Sequence, residues 1–148
     1  MAHDVSTTIE IAATPEMVWA VLADLASYPQ WHPVFQAVSG QLVAGSKLTI
    51  TTTIPTTGRT MTVKVNVLTA EPGTELRWES KLLGITISER RFFLSPVDGG
   101  TSLVQAETYR GLGSGRRAFK VISRIQATFE AINQAIKQQA EARQREPG

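Results

Sequence analysis

The sequence predicts an α+β domain, an antiparallel sheet of about seven strands carrying one long terminal helix. Three observations predict it. Apolar residues recur at every second position over most of the chain, the breaks between those runs are short and rich in Gly and Pro, and from Ser114 to Arg143 the apolar spacing changes to three and four residues. At 148 residues the chain has the length of one domain, spanning 1–148, and can bury about two-thirds of the surface its unfolded form exposes.

Val5, Thr7, Ile9 and Ile11 alternate with polar neighbours and form the first strand. Thr14 then offers a capping hydroxyl and Pro15 a first-turn proline, and Val18, Val21, Leu22 and Leu25 follow at helical spacing, so a short helix runs to about Asp24. The next stretch, LASYPQWHP, holds two prolines and reads as a second short helix or turn. After Pro33 the period is two, interrupted at Gly40, Gly45, Pro55 to Gly58, Pro72-Gly73, Gly84 and Asp98-Gly99-Gly100. Connections this short require antiparallel neighbours. Leu48, Ile50, Thr52 and Ile54 share one strand face, Met61, Val63, Val65 and Val67 the next, and Leu76 and Trp78 a third. Two more strands run from Ile85 to Ser95 and from Thr101 to Arg110. The closing helix sets Phe119, Ile122, Ile125, Phe129, Ile132 and Ile136 on one stripe, which needs the sheet to cover it.

Composition narrows the function. A chain that is 42% hydrophobic and 19% charged is neither disordered nor fibrous. The net charge of +2 does not point to nucleic acid. Without cysteine there are no disulfides, thiol nucleophiles or cysteine-held metals, and two histidines, His3 and His32, cannot build a three-histidine metal site. Neither a G-x-S-x-G elbow nor an H-E-x-x-H pair occurs. No cofactor is expected. The amino terminus lacks a secretory signal and no stretch is long enough to span a bilayer, so a cytoplasmic location is expected by default.

Four stretches carry a resemblance: TPEMVWAVLAD from Thr14, YPQWHP from Tyr28, RFFLSP from Arg91 with Gly99-Gly100-Thr101, and ETYRG from Glu107. In this order they resemble the SRPBCC superfamily of START lipid-transfer domains and birch-pollen-allergen-like proteins, most closely its small bacterial polyketide cyclase/dehydrase-like branch. The resemblance implies a helix-grip fold, a curved seven-stranded sheet wrapped around the C-terminal helix, with two short helices between strands 1 and 2. It also implies a cavity between sheet and helix. Strand alternation and the helical stripe then put Met61, Val63, Val65, Leu76, Trp78, Phe119, Ile122 and Phe129 on its walls, and the resemblance sets Trp31, His32 and Phe35 near its mouth. For each of these, plain core packing is the competing reading.

Polar candidates come from the last two strands. If Phe92 and Leu94 point inward, Ser88 and Arg90 do too; if Leu103 points inward, so do Gln105, Glu107 and Tyr109. Arg90 and Glu107 then either form a structural ion pair or serve as the catalytic candidates, with Tyr109, of a cyclase or dehydrase. Any histidine-dependent step would have to use His32. The segment Gly111 to Gly115, followed by Arg116, Arg117 and Lys120 and flanked by Arg110 and Arg124, lacks nucleotide-binding spacing. It reads as a connector with solvated arginines, with contact to an anionic membrane surface as the other reading.

The expected activity is binding of a hydrophobic or amphipathic small molecule, lipid-like, aromatic or polyketide-like, in that cavity, by a monomer or homodimer. Two alternatives stand beside it: a cofactor-free cyclase or dehydrase using the same cavity, and a protein-interaction module whose cavity has collapsed.

Overall fold

The computed structural model describes residues 2–54 and 57–146. Seven antiparallel strands are traversed in the order β1 (Ala2–Ile11), β2 (Phe35–Gly40), β3 (Lys47–Thr53), β4 (Thr60–Glu71), β5 (Glu75–Leu82), β6 (Ile85–Val97) and β7 (Gly100–Arg110). Helices α1 (Pro15–Ala23) and α2 (Tyr28–Trp31), joined by a 3₁₀ turn at Leu25–Ser27, lie between the first two strands, and α3 (Gly115–Arg145) closes the chain. This is the helix-grip arrangement. The expected break at Pro55 to Gly58 includes Pro55 and Thr56, which lie outside the described residues.

In space the strands run β1-β7-β6-β5-β4-β3-β2. The two short helices carry the chain from one sheet edge to the other, and a six-strand meander brings it back to β1. The first strand begins at Ala2, earlier than its alternation suggests, because β7 continues to Arg110 and pairs with it throughout. Register shifts between Phe35 and Ala37, Val67 and Thr69, and Ser80 and Lys81 add residues to one strand of a pair and bend the sheet. Gly100 allows the tight corner at the other end, since a Cβ there would sit 1.9 Å from the Ile11 carbonyl oxygen.

Thr14 caps α1 as the sequence implies, its hydroxyl accepting from the Met17 amide at 3.1 Å. Val18, Val21 and Leu22 bury the inner face of that helix. On α3 the buried stripe is Ala118, Ile125, Phe129, Ile132, Asn133, Ile136 and Ala140. Phe119, expected on this stripe, is 71% exposed. At 100° per residue it falls about 90° around the helix from the centre of the stripe. Ile122, nearer the stripe, is half-buried. Among the described residues no helix is long and apolar enough to cross a membrane.

Helix α3 lies closest to β1, β7 and α1. A buried polar chain fixes it there: the Asn133 amide donates to Thr7 Oγ1 at 2.8 Å, the Gln105 amide donates to Asn133 Oδ1 at 2.7 Å, and the Thr7 hydroxyl donates to the Gln105 carbonyl at 3.1 Å. Further along, Lys137 reaches the Glu10 carbonyl at 3.1 Å and Arg143 meets Asp24 at 3.0 Å. Asn133→Ala strands the buried Gln105 amide and should lower the unfolding free energy by about 2–3 kcal/mol in urea titrations. A loss below about 0.5 kcal/mol, the range of ordinary surface changes, would show that the chain does not hold the helix.

Candidate functional site: an apolar cavity with one polar corner

Because α3 leans toward β1 and β7, the concave face over β3, β4 and β5 lies clear of the helix backbone. Side chains only partly fill that space. A cavity of about 260 Å³ remains, walled by Ile50, Val63, Val65 and Trp78 from the sheet and by Ile125, Phe129 and Ile132 from α3. Met61 lines it and is 42% exposed, which marks where the cavity meets solvent.

One corner is polar. Arg90 on β6 and Glu107 on β7 are direct partners across the ladder, both pointing to the concave face. Arg90 Nε and Nη2 each lie 2.9 Å from Glu107 Oε1, and the Tyr109 hydroxyl donates to the same oxygen at 2.8 Å. The pair is nearly dry, with side-chain exposures of 11% and 7%. The guanidinium also sits against three rings, 4.7 Å from the Phe129 centroid, 5.3 Å from Phe35 and 5.9 Å from Trp78. Burial works against its charge, but Glu107 and Tyr109 outweigh that and push the Arg90 pKa up. Burial, reinforced by Glu107, likewise raises Tyr109, keeping it a phenol and not a phenolate. Arg90 Nη1 is buried and finds no hydrogen-bond partner among the described residues.

His32 supports this corner from behind. Its Nδ1 accepts the backbone N–H groups of Val34 at 3.2 Å and Phe35 at 2.9 Å, so the neutral ring carries its proton on Nε2. The imidazole stacks on Phe35 at 4.3 Å, and Phe35 in turn faces Arg90. Burial first, and then the Arg90 charge, pull the His32 pKa down to about 3. It orients a ring that lines the cavity and does not itself line it.

Of the residues the sequence places around a cavity, Phe35, Met61, Val63, Val65, Trp78, Arg90, Glu107, Tyr109 and Phe129 stand together at this one. His32 and six others do not. Leu76 and Phe92, a directly opposed pair, lie deeper in the core, nearer the end where α1 packs. Gln105 is taken up by Asn133 under α3. Trp31 leans on Tyr28 and donates from Nε1 to Ser27 Oγ at 2.9 Å. Ile122 packs against the core from α3, and Phe119 faces solvent. Val34, Ile50, Thr52, Thr53, Ile54, Ser80, Ile125, Thr128 and Ile132 also line the cavity and were not expected there. A signal existed for some: Ser80 follows Trp78 on the same face, and Ile125 and Ile132 are on the helix stripe.

Two outcomes follow from the corner. Glu107→Gln leaves the Arg90 charge buried without a counter-ion and should lower stability by about 3–5 kcal/mol in chemical denaturation; a change within about 1 kcal/mol would mean the pair is effectively solvated. For His32 the unfolded chain binds the proton below about 6.5 while the folded protein resists it down to about 3. Stability is therefore complete above pH 6.5 and falls as pH drops toward 3, by up to about 1.4 kcal/mol per unit from this group. His32→Gln should flatten that part of the pH–stability curve, and an unchanged slope would assign the acid sensitivity elsewhere.

Comparison with known proteins now places the chain. Among curated proteins, none matches its sequence. Three solved structures illustrate the likeness of fold. A START superfamily protein from Mycobacterium smegmatis superimposes with a TM-score of 0.73 at 21% identity, covering 95% of this chain and 98% of that one. The di-domain ARO/CYC StfQ from the steffimycin biosynthetic pathway gives 0.77 at 16% identity, covering 97% of this chain and 52% of that one. Ara h 8.0201 gives 0.71 at 15% identity, covering 96% and 99%. A family model matches residues 2–141, and the chain belongs to that family, polyketide cyclase / dehydrase and lipid transport.

Proposed function

We propose that this protein binds a compact hydrophobic molecule bearing an acceptor oxygen, with its apolar body between α3 and the sheet and its oxygen on Arg90 Nη1. The observation that carries this reading is the Nη1 donor of Arg90, a residue that lines a mainly apolar cavity, left without a partner among the described residues. A buried donor left unpaired costs about 1–3 kcal/mol, and a carbonyl on a guest removes that penalty. Most small-molecule sites combine an apolar wall with a few placed polar groups, as this one does. The family's description joins polyketide cyclase / dehydrase with lipid transport, which accords with an apolar guest.

Size selects among guests. An engineered cavity of about 150 Å³ holds benzene. By that measure the 260 Å³ here suits one or two fused rings or a short chain and is too small to enclose a two-chain lipid. Space of this size also speaks against the collapsed interior of a pure interaction module. Binding is favoured over acid–base turnover because Glu107 Oε1 already accepts from Arg90 Nε, Arg90 Nη2 and Tyr109, leaving it committed to three donors.

The test compares 1-tetralone with tetralin, the same bicycle without the oxygen, by calorimetry. The ketone should bind about tenfold more tightly, equivalent to one hydrogen bond of about 1.4 kcal/mol. Replacing the pair together, Arg90→Met with Glu107→Met, avoids a stranded charge and should erase the preference while preserving the fold. Equal affinities in the unaltered protein, or no binding of either compound, would overturn the reading.

A further inference from the structure

The β5–β6 turn is unusual in its chemistry. Leu82 and Ile85 close the hairpin, and Leu83 and Gly84 between them both have positive φ, 52° and 79°. Such two-residue turns favour Asn, Asp or Gly at the first position. Leucine there costs roughly 1 kcal/mol of strain and gains nothing from burial, since Leu83 is 94% exposed. Leu82 and Ile85 are 61% and 65% exposed. Three aliphatic side chains, Leu82, Leu83 and Ile85, therefore project from a turn whose folding would be better served by polar residues.

The topology puts this tip at the same end of the sheet as a basic segment. Ser88 pairs with Tyr109 and β7 ends at Arg110, so the β5–β6 hairpin and the 111–114 loop that leads into α3 leave the sheet at the same end. From 108 to 129 the chain has no acidic residue, and Arg116, Arg117 and Lys120 occupy the first turns of α3 beside the exposed Phe119. At this end of the sheet Asp4 accepts from Thr108, Glu79 is paired with Lys81 and Glu89 with Arg77. The turns at the opposite end carry Glu10, Glu71 and Asp98 instead. Charge is thus polarised along the molecule, with the apolar tip at its positive end.

We infer that the β5–β6 tip and the start of α3 together dock on an anionic lipid bilayer, with Leu82, Leu83, Ile85 and Phe119 entering the acyl boundary and Arg116, Arg117 and Lys120 contacting lipid headgroups. A protruding convex tip suits a deformable apolar layer; a protein partner would need a matching pocket. Each cation near a negatively charged surface contributes about fivefold in partitioning. The inference concerns the outer surface and stands whether or not the cavity takes a guest.

Co-sedimentation with phosphatidylcholine vesicles, with and without phosphatidylglycerol, tests it. The unaltered protein should associate with the anionic vesicles and detach as salt is raised. Leu83→Asn should weaken association about tenfold, the loss of one inserted leucine. The same change should leave the melting temperature equal or higher, because asparagine tolerates positive φ. Arg117→Glu should weaken association by more than about fivefold. Lack of association with anionic vesicles at low salt overturns the inference, even if the protein then binds an acidic protein or a nucleic acid. So does association that both substitutions leave unchanged.

Discussion

A guanidinium held among aromatic rings organises this structure. Arg90 cannot leave its place without stranding Glu107, and cannot lose Glu107 without carrying an unpaired charge in a dry site. The guanidinium meets Phe35 on β2, Trp78 on β5 and Phe129 on α3, so one side chain links both ends of the meander to the closing helix. It also acts as a spacer. With Phe129 standing 4.7 Å from the cation, α3 is held off the middle of the sheet, and the cavity is the space that remains.

The helix is anchored unequally along its two sides. Toward β1 it is tied down by small polar groups, Asn133 to Thr7 and Gln105, and by Lys137 and Arg143 further along. Toward β3 to β5 it is propped by rings and a cation. An apolar guest placed on the propped side exchanges few protein–protein contacts for its own, whereas one placed on the other side would have to break buried hydrogen bonds. The polar chain and the ion pair therefore do complementary work, one fixing where the helix sits and the other keeping room beneath it.

Much of this could be read from residues alone, because the relevant periods are local. Alternation along β6 and β7 sends Arg90, Glu107 and Tyr109 inward, and Thr14-Pro15 starts α1 where it should. What period two cannot supply is depth. Leu76 and Phe92 share a face with Trp78 and Arg90, yet lie two positions nearer the filled end of the core. Phe119 misled for a related reason: steps of three from Ile125 drift backward around a helix of 3.6 residues per turn, and two such steps carry a side chain off the buried stripe. Leu83 was invisible in another way, since a leucine at positive φ contradicts local preference and appears only once the hairpin register is known.

The account rests on a guest occupying the space beside Arg90. Solution NMR of the methyl-labelled protein with 1-tetralone measures this most directly. The predicted result is a set of nuclear Overhauser contacts from the ligand to the methyl groups of Met61, Val65 and Ile125, together with slowed exchange of the Arg90 Nη1 protons. Contacts confined to exposed residues such as Phe119 or Leu83, with the Arg90 side chain unaffected, would contradict it.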